Sequence, residues 1–174
     1  LNYNKIKFDF LIGAKIDPLE KQVNLQNNDL IIIEGDEYFS SAIDSTPKFM
    51  YYNPDLLVVS GVAWDHFNVF PTLSSYQNAF KTLLNESAKN ASKIFYCEND
   101  VFLSSFLKKS TSIVPYSLPK YVVEDGEFRI IRNYKKYPIS VFGKHNLYNL
   151  QAASYICAEL GVSAEKFYLS IQNF

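Results

Sequence analysis

The sequence has only two cysteines, two histidines and six glycines in 174 residues, and each scarcity removes a class of chemistry. Cys97 and Cys157 stand far apart, with no CxxC spacing and no neighbouring histidine, so neither a zinc knuckle nor a redox pair is available. Both thiols are expected to be buried and reduced. With His66 and His145 alone, and no Gly-x-Ser-x-Gly elbow, a hydrolase triad is poorly supported. The glycines form neither Gly-x-x-x-x-Gly-Lys-Ser/Thr nor Gly-x-Gly-x-x-Gly, so the chain has no recognisable phosphate cradle of its own. Charge of one sign is also missing: 17 Lys and Arg against 18 Asp and Glu leave a net charge of -1. No basic field exists to draw in nucleic acid or an acidic membrane surface. No apolar run approaches the roughly 20 residues needed to cross a membrane, and residues 1–5 lack a leader pattern. The expectation is a cytoplasmic protein with no nucleic-acid partner and no membrane insertion.

What is present is apolar surface, 48% of the residues, in a length that suits one domain with a sizeable core. Thirteen tyrosines and fourteen phenylalanines read as core and interface filling. The unbroken runs Leu-Ile-Ile-Ile at 30–33 and Leu-Leu-Val-Val at 56–59 suit strands buried on both faces, as a helix-covered parallel sheet requires. Further strands are expected at 7–13 and 93–97, and helices over 73–89, 101–107, 146–160 and from Ser163. Tyr76, Phe80, Leu83 and Leu84 share one helical face and should be core. Residues 17–28 read as a polar surface loop, and 40–43 as a helical turn ended by Pro47. Short strands at 112–116, 121–123, 128–131 and 137–142, with an Asp125-Gly126 turn, predict a small antiparallel β subdomain around 112–142. The expected class is α/β, an open and mostly parallel sheet flanked by helices.

In such sheets ligands bind beyond the carboxyl ends of the strands. Glu34, Asp36 and Glu37 follow one apolar run, and Asp65 and His66 follow the other. If the two strands are neighbours, these groups converge. Three crowded carboxylates repel unless a cation or basic group neutralises them, and oxygen ligands suit magnesium. The plainer alternative is a solvated loop of helix-capping acids, with His66 a structural residue. A third constellation is His145, Asn146 and Asn149, where the two amides lie three apart on a first helical turn and offer the donor and acceptor an adenine edge requires. Sequence chemistry alone favours capping by Asn146 with Asn149 solvated. Lys48, Lys81 and Lys144 are phosphate candidates that no spacing separates.

Taken in order, Glu34-Gly35-Asp36-Glu37-Tyr38, Asp44, Lys48-Phe49, Trp64-Asp65-His66, Val69-Phe70-Pro71 and Gly143-Lys144-His145-Asn146-x-x-Asn149 resemble the muramyl (Mur) ligases across nearly the whole chain. The resemblance is greatest to the branches that extend UDP-N-acetylmuramate by L-Ala-γ-D-Glu-meso-diaminopimelate or by L-alanine. It implies a bacterial, ATP- and magnesium-dependent ligase of peptidoglycan synthesis or recycling, which activates a muramyl carboxylate as an acyl phosphate for attack by an amine. It also implies that Glu34 and His66 are magnesium ligands at the catalytic centre, and that His145, Asn146 and Asn149 contact the adenine end of ATP.

The same resemblance makes residues 1–174 part of a central ATP-binding domain. The upstream phosphate loop and downstream Rossmann-like domain of such ligases would be partners that this stretch lacks, leaving it inactive alone. Gly61, Val62 and Ala63 stand where the nearest branches show Asn-x-Glu, and Asn68 replaces a usual aspartate. Phe80 stands where some members carry a modified lysine. These departures keep open a non-catalytic nucleotide- or UDP-muramyl-binding module of the same fold. A metal-dependent hydrolase using Asp65 and His66 is a third reading.

Overall fold

A computed structural model describes residues 1–14 and 21–172; the first part of the polar loop expected at 17–28 lies outside them. The chain divides into two compact units, one of Leu1–Asn53 with Trp64–Leu83 and one of Pro54–Ala63 with Leu84–Phe174.

The first unit holds a small mixed sheet. β1 (Asp9–Leu11) lies between β2 (Val23–Asn24), to which it is antiparallel, and β3 (Ile31–Ile33), to which it is parallel. The expectation of a doubly buried strand at 30–33 fails, because β3 is an edge of this sheet and leaves Ile31 47% and Ile32 41% exposed. An apolar run permits burial on both faces but does not supply the layers that cover it. The expected helical turn at 40–43 is instead a β-hairpin of β4 (Phe39–Ser41) and β5 (Asp44–Pro47). Asp44 holds it, its carboxylate accepting from the Ser40 and Tyr51 hydroxyls at 2.6 Å each and from the Thr46 amide at 3.0 Å. These bonds satisfy in extended backbone what a helical turn would have satisfied within itself.

Asp9, 6% exposed, is the buried carboxylate of the sheet and accepts from the Gln26 and Asn27 amides and the Asn28 side chain at 3.0, 3.1 and 2.6 Å. Burial opposes its charge, yet the hydrogen bonds outweigh burial and hold its pKa below the ordinary value. A depressed folded-state pKa gives stability that is present above the unfolded pKa and lost as pH falls through the folded one. In urea unfolding, Asp9→Asn is therefore expected to flatten, relative to the parent, the loss of stability as pH falls through and below the ordinary carboxylate range.

The second unit is built on a parallel sheet of order β6 (Leu56–Val59), β7 (Lys93–Cys97), β8 (Ile113–Tyr116). Central β7 behaves as an unbroken apolar run should, with Ile94, Phe95, Tyr96 and Cys97 all buried. β8 thus belongs to the parallel sheet and not, as expected from 112–116, to the antiparallel one. That second sheet comprises β9 (Tyr121–Glu124), β10 (Glu127–Arg132) and β11 (Lys135–Ile139) in the order β11-β10-β9. The Asp125-Gly126 turn joins β9 to β10 with φ of 54° and 80°, the left-handed pair that a two-residue hairpin needs. Helices α1 (Leu73–Lys89), α2 (Val101–Phe106), α3 (Lys144–Glu159) and α4 (Ala164–Ile171) match the expected segments closely. α1 begins in the first unit and ends in the second. Its expected core face is buried at Tyr76, Phe80, Leu83 and Leu84. Cys97 is buried and Cys157 half-buried, and both are free thiols. No helix of the described residues is long and apolar enough to cross a membrane.

Candidate active site

β3 does not pair with β6, so the two runs are not neighbouring strands of one sheet. The loops after them nevertheless meet within the first unit. After β3 the three carboxylates do not crowd, because each finds its own donor. Glu34 accepts the Gly13 amide on Oε2 at 2.6 Å, tying the carboxyl ends of parallel β1 and β3 together. Asp36 takes the Tyr38 amide at 2.8 Å and Lys48 Nζ at 2.7 Å. Burial works against its charge, but Lys48 and the Tyr38 amide prevail and lower its pKa. Lys48, a phosphate candidate from the sequence, is thereby committed to Asp36. Glu37 turns the other way, placing Oε1 3.0 Å from His66 Nε2 and 3.0 Å from the Tyr76 hydroxyl.

The Trp64-Asp65-His66 loop is held from both sides. Asp65 Oδ1 accepts the His66 amide at 2.6 Å, and the His66 carbonyl accepts the Val69 and Phe70 amides at 2.8 and 2.9 Å. Trp64 Nε1 donates to the Phe70 carbonyl at 3.0 Å. His66 itself sits at φ 56°, with the Tyr38 ring edge-on at 4.5 Å. Behind it Phe70, Tyr76, Phe80 and Phe49 form a chain of rings with successive centroids 5.1–5.4 Å apart. Phe80 is core there and offers no ligand atom.

Among the described residues no group of three or more His, Cys, Asp or Glu side chains could hold a metal ion. A magnesium cage made entirely of protein therefore does not fit. An ion that draws most of its shell from phosphate oxygens and water needs only one or two protein ligands, and Glu34 and His66 suit that arrangement chemically. The carboxylate that lies against His66 is that of Glu37, with Oε1 3.0 Å from Nε2. Sequence reasoning also took Tyr76 purely as core; the signal it passed over is that a buried tyrosine hydroxyl needs a partner.

In the second unit, Asp100 caps α2 through the Leu103 amide at 2.8 Å and also accepts the Val62 amide at 2.7 Å. The segment after β6 is thus fixed by Asp100, while Gly61 and Ala63 carry no ligating group. At the start of α3, Gly143 adopts φ 85° and ψ 151° and the His145 ring folds over it. Asn146 does not cap the helix by accepting an amide; its Nδ2 donates to the Phe142 carbonyl at 2.8 Å. His145 and Asn149 are exposed.

A Cβ at Gly143 would lie 2.9 Å from His145 Cε1 and 3.0 Å from Nδ1, in a backbone region that is essentially glycine-only. Gly143→Ala is expected to cost about 1–3 kcal/mol and to displace His145. Gly35→Ala, with nothing within 4 Å of the new atom, should be near neutral by comparison. Urea unfolding, measured on both variants, checks the pair.

A family model described as the Mur ligase middle domain matches residues 19–157. The UDP-N-acetylmuramate–L-alanyl-γ-D-glutamyl-meso-2,6-diaminoheptandioate ligase of Haemophilus influenzae is 23% identical over 100% of this chain and 41% of its own length. The UDP-N-acetylmuramate–L-alanine ligase of Francisella philomiragia is 25% identical over 91% of this chain and 37% of its own. A crystal structure of UDP-N-acetylmuramate:L-alanyl-γ-D-glutamyl-meso-diaminopimelate ligase from Neisseria meningitides superposes with a TM-score of 0.78 at 20% identity, over 99% of this chain and 59% of that one. The chain spans less than half the length of these two curated relatives. With an α/β architecture shared with a ligase of this kind and a family match over most of its length, the chain belongs to the Mur ligases and corresponds to their middle domain.

Proposed function

We propose that this chain is the ATP-handling part of a ligase that joins UDP-N-acetylmuramate to an amine through an acyl phosphate, in peptidoglycan synthesis or recycling. The amine is the L-Ala-γ-D-Glu-meso-diaminopimelate tripeptide, or L-alanine in the neighbouring branch. The observation that carries this reading is the meeting of the Glu34–Tyr38 and Trp64–His66 loops through the 3.0 Å Glu37–His66 pair, beyond the carboxyl end of β3. A muramyl carboxylate oxygen attacks the γ-phosphorus of ATP, ADP leaves, and the amine then attacks the acyl carbon and expels inorganic phosphate. Glu34 and His66 would hold magnesium, which when bound neutralises charge developing on the transferred phosphoryl oxygens. His145, Asn146 and Asn149, on the first turns of α3, would meet the adenine. The remaining domains of the full-length protein would supply the phosphate loop and select the amine.

The test is phosphate release by the full-length protein with ATP, magnesium and UDP-N-acetylmuramate. Turnover that requires the tripeptide supports the recycling branch, and turnover that requires L-alanine moves the protein to the other. A folded protein that turns over with neither would favour the binding module, for which the bare Gly61 and Ala63 after β6 are the specific observation.

A further inference from the structure

Three large rings stand open to solvent on the two loops of the candidate site: Trp64 is 40% exposed, Phe67 62% and Tyr38 40%. Their exposure is not slack in the chain. Trp64 Nε1 donates to the Phe70 carbonyl at 3.0 Å, and the His66 carbonyl accepts the Val69 and Phe70 amides, so hydrogen bonds close the turn that carries Phe67. The Trp64 and Phe67 rings meet edge to face, at 80° with centroids 4.8 Å apart, and so form a fixed corner. His66 lies between them in the chain, and the Tyr38 ring stands 4.5 Å from its imidazole. A contiguous exposed apolar patch rimmed by polar groups marks a binding surface, and rings already held in place lose little freedom when a ligand arrives.

The geometry points to Trp64 and Phe67 as an aromatic ledge that takes the apolar C–H face of the muramyl sugar while the carboxylate of that substrate reaches the reaction centre beside His66. This rests on the ligase reading and names the substrate group that the loop would recognise. The other reactants are charged close to their reacting atoms, through the triphosphate of ATP and the ammonium and carboxylate groups of the amine. Uncharged rings offer such groups only desolvation. The muramyl carboxylate is different, because only a lactyl carbon and an ether oxygen join it to the pyranose ring. If it is activated beside His66, the sugar lies next to residue 66. The ring C–H groups and the lactyl and acetyl methyls are uncharged and suit aromatic walls. Asn68, exposed beside Phe67, brings the neutral donor and acceptor that a sugar hydroxyl needs.

The experiment uses the full-length protein, with UDP-N-acetylmuramate binding followed by titration calorimetry and phosphate release followed with the preferred amine. Phe67→Ala is expected to raise both Kd and KM for UDP-N-acetylmuramate about 5–10-fold, with KM for ATP and the urea unfolding midpoint at parent values. Phe67→Tyr, which keeps the flat ring, should bind the sugar nucleotide as the parent does. Unchanged affinity for UDP-N-acetylmuramate in a folded Phe67→Ala protein would overturn the ledge even in an active ligase. So would a lowered unfolding midpoint with unchanged affinity, which would make this face a contact with another part of the full-length protein. Affinity that depends on Phe67 in a protein that forms no amide would sink the ligase reading and leave the ledge standing. A parent protein that neither binds UDP-N-acetylmuramate nor turns over would overturn both.

Discussion

If the full-length protein is the proposed ligase, exchange of Glu34 for glutamine, or of His66 for asparagine, is expected to lower its kcat by about 100- to 1,000-fold while leaving the fold intact. The substitutions are chosen from the local geometry. Glutamine still offers an oxygen to the Gly13 amide that Glu34 Oε2 meets at 2.6 Å, so only the charge is lost. Asparagine tolerates the left-handed φ of 56° at position 66, where alanine would add backbone strain to the loss of the ring. An interaction made chiefly in the transition state lowers kcat and kcat/KM together. Parallel falls in both, with unchanged unfolding midpoints, are the expected result. Unchanged kcat in both variants would show that neither side chain serves phosphoryl transfer.

Phe95→Ala is expected to destabilise the second unit by about 3–5 kcal/mol. Phe95 is 1% exposed on central β7 and packs with Cys97, Tyr116 and Ala152, with the Tyr155 ring at 5.5 Å. Both sheet neighbours of β7 run parallel to it, so a cavity here lies between strands and a helix that cannot collapse onto it without shifting their register. Val101→Ala, at a position 84% exposed, should change stability by less than about 0.5 kcal/mol. Urea unfolding of the two variants against the parent separates cavity cost from generic loss of apolar surface.

Much of this architecture was legible where the deciding interactions are local. α1, α4 and the Asp125-Gly126 hairpin are written in caps, periodicity and left-handed residues. The strand at 93–97 was readable, and its apolar residues are buried because it became central β7. The runs at 30–33 and 56–59, expected to be buried on both faces, became the edge strands β3 and β6, with Ile31 and Ile32 exposed and Leu56, Leu57 and Val58 only half-buried. The 40–43 turn misled because Asp44 gathers donors from as far as Tyr51, a tertiary choice that propensity does not register. At the site, the residue types pointed to the two loops, but the assignment of donors to carboxylates did not follow. Only folding decides that Asp36 takes Lys48, Glu34 takes Gly13 and Glu37 takes the Tyr76 hydroxyl.

The ligase reading is tested most directly by following a heavy-oxygen label placed on both carboxylate oxygens of UDP-N-acetylmuramate through turnover of the full-length protein with ATP, magnesium and the preferred amine. Activation as an acyl phosphate moves one carboxylate oxygen to phosphorus, and amine attack releases it there. Inorganic phosphate carrying one labelled oxygen per amide formed is the predicted result. Unlabelled phosphate with both heavy oxygens retained in the muramyl carboxylate would mean that ATP is merely hydrolysed, and would contradict it.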